Sequence, residues 1–503
     1  MSYIFRIFAI ETNNLHLMRK AFISLFLIFV ACQLQAKVIF VAPDGSDSAT
    51  GTKEAPLATF PAAYNKVVAG DTVYFRGGTY YVTDDQVMGY AEPYACVFYL
   101  QKAGTSAKRT CFMGYPGERP VFDFSALQLD GQHRFAAFYL GADYLHLRNF
   151  DIVGVPVRVQ GHTQSECISA RKGSYCIIEN IAMHDGMAIG YYQTEGSNNL
   201  IINCDAYNNY DSYSEGEYGG NVDGFGCHVT KERFTGNVFR YCRAWRNSDD
   251  GYDLINCFAP VEFDHCFAFY NGYQPTADPK NTSERNSAGD GNGMKAGGYG
   301  MSTITKYPST FPQHYIHHCV AYFNKSNGIY SNHHLTGNRW EYNSAYQNQR
   351  YNYSMVNRKS VEEAVDVDGY DHILIGNVSY HPNNKHLTQC DETSSTLTNN
   401  TFGPEAITVG SGMFLSLNPK DLLADRDAEG NLPDIVFMAA KYGTPIATNE
   451  MGWKWQTEEE AAIVMPDEES VNTGSIYDLT GRMVNTTKSK HLYIRNGKKF
   501  IAQ

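Results

Sequence analysis

The chain has 503 residues, 43% hydrophobic and 14% aromatic, and a formal net charge of -12. That length holds one large domain or two to three ordinary ones. The acidic balance, with no basic patch interleaved with aromatics, excludes nucleic acid as a partner and suits a cation-dependent exported protein.

Residues 1–36 read as an export signal. Arg19 and Lys20 precede an apolar run from Ala21 to Ala31, too short for a comfortable membrane span, and cleavage after Ala36 fits a small-residue site. No later segment looks transmembrane, so a secreted, periplasmic or cell-surface location is expected. Val38 to Val41 reads as a strand before the turn Pro43-Asp44-Gly45. Phe60 to Val68 reads as a short amphipathic helix, with Ala63 and Val67 on one face, forming an N-terminal cap. Gly70 to Phe75 enters the first of a series of repeats.

Along the middle of the chain a short pattern recurs. Apolar and polar residues alternate, then come Cys or Asn, a small residue and an aromatic. Examples are Ile202-Asn203-Cys204-Asp205-Ala206-Tyr207, Phe263-Asp264-His265-Cys266-Phe267-Ala268-Phe269 and Ile316-His317-His318-Cys319-Val320-Ala321-Tyr322. The anchors Cys204, Cys242, Cys266, Cys319 and Asn343 are 38, 24, 53 and 24 residues apart, so one coil takes 24 residues and the longer gaps carry inserted loops. Period-2 alternation marks strands. Strands at this repeat, with no helical pattern between them, predict an all-β parallel β-helix, in which equivalent residues stack in ladders. The anchor cysteines then form a buried column of free thiols rather than disulfides. The anchor asparagines form a matching amide ladder. The solenoid is expected over 37–445. Residues 446–503 read as an acidic linker, centred on 454–475, and a small β-rich tail resembling sorting or anchoring tails of exported bacterial proteins.

A second motif recurs between the anchors: Asp or Asn, Gly, a large apolar residue, then a variable one. It reads Asp185-Gly186-Met187-Ala188, Asp223-Gly224-Phe225-Gly226, Asp250-Gly251-Tyr252-Asp253, Asn292-Gly293-Met294-Lys295 and Asn327-Gly328-Ile329-Tyr330. Alternation turns the large residue inward. The outward column becomes Ala188, Gly226, Asp253, Lys295 and Tyr330, and the turn column becomes Asp185, Asp223, Asp250, Asn292 and Asn327. Asp223, Asp249, Asp250 and Asp253 thus converge, and Lys295 stands one coil above Asp253. Asp before Gly is a common turn former. That does not explain Asp249 and Asp253 beside Asp250, because like charges repel unless a cation sits among them. Oxygen-only ligands point to Ca²⁺ before Mg²⁺. Lys295 is a candidate base; the plainer alternatives are a solvated lysine or an ion pair to Asp253. Arg285, in the insertion from Tyr273 to Gly289, is a candidate for a substrate carboxylate, and Tyr330 for a sugar contact. The look-alike Asp368-Gly369-Tyr370-Asp371 reads as a structural turn.

The segments 221–226, 247–253 and 290–298 together resemble polysaccharide lyase family 9, over roughly residues 38–445. The resemblance implies a right-handed parallel β-helix and a pectate or rhamnogalacturonan lyase acting by β-elimination. It implies Asp223, Asp249, Asp250 and Asp253 as Ca²⁺ ligands and Lys295 as the Brønsted base. The expected partner is a pectic polysaccharide, with the protein a monomer. Two alternatives stand beside it. A β-helix hydrolase of the polygalacturonase type would use Asp223 with Asp249 or Asp250. A non-catalytic glycan-binding solenoid would use the 36 tyrosines.

Overall fold

The computed structural model describes residues 36–455, except Asp130, His162, 215–218 and 300–305, and four short strands between 476 and 501. The expected export signal lies outside the described residues, as does the expected linker beyond Trp455.

Among the described residues, parallel strands stack into one sheet of 20 strands and a second of 11. The chain passes between the sheets once per coil, and each strand pairs in register with its equivalent one coil on, as Asn237–Arg240 does with Val261–Asp264. This is the parallel β-helix predicted from the repeat. The strand Val38–Val41 pairs with Thr72–Phe75 and forms an end rung. The helix Phe60–Lys66 closes that end. Its N-cap Thr59 accepts from Ala62 N, and Phe60 slides its ring against Phe98 at 4.1 Å. Ala63 and Val67 are both buried, as their spacing predicts.

The interior is a set of ladders. Cys204, Cys242, Cys266 and Cys319 are fully buried, and every described cysteine is a free thiol. Asn343 and then Asn377 continue the same column: Cys319 N donates to Asn343 Oδ1 (2.9 Å), and Asn343 Nδ2 donates to Asn377 Oδ1 (3.1 Å). A second amide ladder climbs through Asn209, Asn247, Asn271, Asn324, Asn348 and Asn352. Each side chain donates to the next at 2.9–3.2 Å. Buried amides are tolerated because both ends are used: Asn324 Nδ2 also donates to Ala268 O, and its Oδ1 accepts from Asn271 N.

The final coils are covered by a strap. Leu422, Ile435, Phe437, Ile446 and Trp453 pack on Phe267, Phe269, Tyr322 and Tyr380 of the long sheet's outer face. Trp453 Nε1 donates to Phe437 O (2.8 Å). This packing carries the body to Trp455, past residue 445, where the repeat pattern fades. The strands Ile476–Tyr477, Met483–Val484, Leu492–Arg495 and Lys498–Ile501 form an antiparallel sheet of their own.

Asn324→Ala breaks the middle of the longer amide ladder and orphans buried groups on both sides. A loss of about 2–4 kcal/mol is expected, read as a lower Tm in thermal unfolding.

Candidate functional site

The 11-stranded sheet carries the site. Its inward column is Tyr191, Phe225, Tyr252, Met294 and Ile329, all buried. The glycine before each of these is required by close approach. A Cβ on Gly251 would lie 2.7 Å from Gly293 O, and one on Gly293 would lie 2.5 Å from Gly328 O. Asp253 pairs with Lys295, and Lys295 with Tyr330, as the spacing predicts.

The earliest member differs. Gly226 pairs with Tyr192, and Phe225 with Tyr191, so Ile189-Gly190-Tyr191-Tyr192 takes the place expected for Asp185 to Ala188. Ala188 is buried, and Asp185 instead turns the chain (φ 53°) and accepts from Asn208. Only the glycine and the large inward residue are demanded by stacking, so the segment without an acidic residue fits.

The turn column is itself a hydrogen-bonded ladder. Asp250 N donates to Asp223 Oδ1 (3.1 Å), and Asn292 donates to Asp250 Oδ1 through its backbone (2.6 Å) and side chain (2.9 Å). Asn327 Nδ2 donates to Asn292 Oδ1 (2.9 Å). One oxygen of each aspartate is thereby fixed and the other left over. Asp253 Oδ1 accepts from Ile255 N (2.7 Å). Ligand oxygens of Asp223, Asp250 and Asp253 lie within 4.8 Å of one another, and all three residues are buried.

Lys295 Nζ lies 3.0 Å from Asp250 Oδ2 and 3.1 Å from Asp253 Oδ2, with its side chain 13% exposed. The contact to Asp250 is an ion pair without hydrogen-bond direction, and Asp250 Oδ2 has no hydrogen-bond partner. A buried carboxylate oxygen that meets only an ammonium, beside two other carboxylates, suits a hard cation. The residues fit calcium on this ground and on their all-oxygen donor set.

Asp249 stands beside this triad. Its two oxygens accept from Asn221 N and Asp290 N, both at 2.8 Å, which anchors the loops on either side. Its charge still reaches the nest. Burial, followed by the neighbouring aspartates, pushes Asp223 well above the usual carboxylate range. Burial raises Asp250 to about 7, with Lys295 opposing and Asp249 and Asp253 adding. For Lys295, burial pulls downward, and the four aspartates outweigh it to hold the ammonium well above its ordinary value. A lysine base needs this pKa lowered, which requires the carboxylate charge to be offset.

The other expected contacts divide. Tyr330 follows Lys295 in the outward column, and its hydroxyl pairs with His333 Nε2 at 2.8 Å. Arg285 stacks on Phe323 at 3.9 Å and donates to Thr282 O, and its described contacts include neither the carboxylates nor Lys295. Asp368 and Asp371 are exposed at a turn, as a structural reading requires. A residue absent from the sequence reading is His228. Its Nδ1 meets Tyr192 Oη at 3.0 Å, and its Nε2, buried without a hydrogen bond, faces Asp253 Oδ2 at 3.9 Å. Its signal was available: it lies two positions past Gly226 on the same outward face.

Residues 39–382 match the family model described as Pel9A-like, right handed beta helix region. The chain belongs to this family. Its likeness to solved members spans nearly their whole length. A structure titled rhamnogalacturonan lyase superposes with a TM-score of 0.77 at 43% identity, covering 83% of this chain and 99% of that one. The crystal structure of pectate lyase Pel9A gives 0.63 at 26% identity, covering 82% and 90%. Among curated relatives, pectate lyase L of Dickeya chrysanthemi is 30% identical over 399 residues, 79% of this chain and 82% of that protein. The resemblance to polysaccharide lyase family 9 is thus borne out, along with its right-handed β-helix.

The carboxylate nest has a signed pH dependence. The raised pKa of Asp250 means that the cation-free fold keeps a proton which the unfolded chain releases at about pH 4. That contribution to stability is lost as pH rises through about 7. A cation held among these carboxylates would take the proton's place, so the gain in Tm on adding calcium should be larger at pH 8 than at pH 5. Asp250→Asn should remove most of the gain and its pH dependence.

Proposed function

We propose that the chain is a calcium-dependent polysaccharide lyase that cleaves a galacturonate-containing pectic backbone of the rhamnogalacturonan type. The observation that carries this is the pairing of Asp253 with Lys295 over the buried aspartates, which sets a lysine beside a carboxylate nest on the outward column of the 11-stranded sheet. The lyase class rests on the family and its named members. The rhamnogalacturonan backbone is favoured because the 43% identity to a rhamnogalacturonan lyase exceeds the 26–30% to the pectate lyases compared above. No feature favours the hydrolase or the non-catalytic alternative.

Asp223, Asp250 and Asp253, with Asp249 beside them, would hold the calcium ion. When bound, the ion supplies positive charge for the galacturonate carboxylate and for the charge that develops next to it. Lys295 Nζ takes the proton from C5 of the galacturonate. The C5–H electron pair forms the C4–C5 double bond, the C4–O bond breaks, and the leaving oxygen takes a proton from water. Lys295 can accept a proton only where the charge of its four aspartates is offset, so cation binding and base function share the same carboxylates. Tyr330, next in the column, offers a ring against the adjoining sugar. Among the described residues no helix is long and apolar enough to cross a membrane. Export, and action as a monomer, are part of this proposal.

With calcium, digestion of rhamnogalacturonan I should yield the ultraviolet absorbance of an unsaturated uronate, and chelator should abolish it. New reducing ends without that chromophore would overturn the reading, and faster action on polygalacturonate would move the substrate to pectate. Lys295→Ala, assayed with calcium, should lower kcat by about 10²–10⁴-fold with Tm little changed.

A further inference from the structure

Outside the carboxylate nest, one corner of the solenoid gathers a second group of metal-binding side chains. The strands Val261–Asp264 and Tyr315–His317 pair so that Asp264 lies against His317. The next residue of each coil, His265 or His318, turns the corner in the left-handed region, at φ 54° and 52°. The repeat therefore sets an Asp-His pair against a His-His pair. The rings of His265 and His318 lie 4.8 Å apart and 8° from parallel.

Ligand atoms of Asp264, His265 and His318 lie within 4.8 Å of one another, and Glu262, Asp264 and His317 form an overlapping set. His317 Nδ1 is 3.1 Å from His318 Nδ1 and 3.6 Å from Asp264 Oδ1. Zinc bonds of about 2.0–2.1 Å give a tetrahedron with edges of about 3.3 Å, and both separations lie close to that edge.

The hydrogen-bond partners decide which nitrogens are free to ligate. His265 Nε2 lies 2.8 Å from Lys454 O. A carbonyl oxygen only accepts, so Nε2 carries the hydrogen and a neutral ring presents a bare Nδ1. That Nδ1 faces Asp264 Oδ1, another acceptor. His317 repeats the arrangement: Nε2 faces Glu262 Oε1 at 3.1 Å, leaving Nδ1 toward His318 and Asp264. Lone pairs aimed at one another need a proton or a metal cation between them. A carbonyl or carboxylate on the far nitrogen is the usual partner of a metal-bound histidine. Arg240 Nε occupies Asp264 Oδ2 at 2.6 Å and leaves Oδ1 to the cluster.

We propose that Asp264, His265, His317 and His318 form a second metal site, structural in kind, for a divalent cation of the zinc type. Three imidazole nitrogens and one carboxylate select such an ion over calcium. The occupied site joins two coils to the strap, because His265 also holds the carbonyl of Lys454.

The test titrates calcium-saturated protein with Co²⁺, a spectroscopic stand-in for zinc. One equivalent should bind with the strong visible absorption of a four-coordinate nitrogen–oxygen site, and Zn²⁺ should displace it and raise Tm. His318→Phe keeps the ring stack and should weaken Co²⁺ binding by at least ~10-fold while leaving lyase activity unchanged. If that variant fails to fold, His317→Gln should show the same loss. Asp250→Asn, which touches only the carboxylate nest, should keep the Co²⁺ spectrum. Absence of the spectrum in the unmodified protein, or its survival in both histidine variants, overturns the proposal and means that protons alone bridge the cluster.

Discussion

Each coil exchanges hydrogen bonds with its neighbours in a register that cannot slip, and every functional position is a consequence of that register. Backbone pairing alone would tolerate a shift; the buried side-chain ladders do not. A slip of one residue would leave the amides of Asn247, Asn271 and Asn324 facing apolar atoms, with their carbonyl and N–H partners orphaned. It would also drive a side chain into the glycine column, where there is no room for a Cβ. The ladders run in opposite senses. In the asparagine column the N–H of the earlier coil is accepted by the later side chain, whereas Asp223 and Asp250 accept from the coil after them. The aspartates are thus oriented by the backbone before any ion or sugar arrives.

This rigidity explains how a hostile electrostatic arrangement survives. Three buried carboxylates converge, and their repulsion is opposed by backbone N–H groups and by one ammonium. Lys295 offsets part of the nest's charge, and the same contacts keep it protonated. In the proposed reaction, the groups that position the lysine also hold it in reserve until positive charge enters beside it. On that proposal, catalytic competence and cation occupancy would be linked through electrostatics.

The sequence revealed those features that the repeat writes into every coil. The cysteine and asparagine columns, the strand periodicity and the single step from Asp253 to Lys295 all come from spacing, because stacking converts sequence separation into a fixed height. What escaped depends on packing between segments that the repeat does not relate. Ile189-Gly190-Tyr191-Tyr192 carries no acidic residue to announce it, and Asp185-Gly186 imitates the motif while serving as a turn. Arg285 lies in an insertion whose path is set by Phe323, on a different column. The strap through Trp453 is not periodic, so its burial was invisible until its partners on the long sheet were known. The histidine corner was present in the aligned repeats, yet its chemistry emerges only when two coils are superposed.

The thiol column also bears on where such a protein can mature. A scaffold of this size that leaves the cell is commonly locked by oxidised cross-links, which ties its yield to the redox conditions it meets. Here the described cysteines fill space as small side chains, and none of them waits for an oxidant. The described body therefore holds no cross-link for reducing surroundings to break.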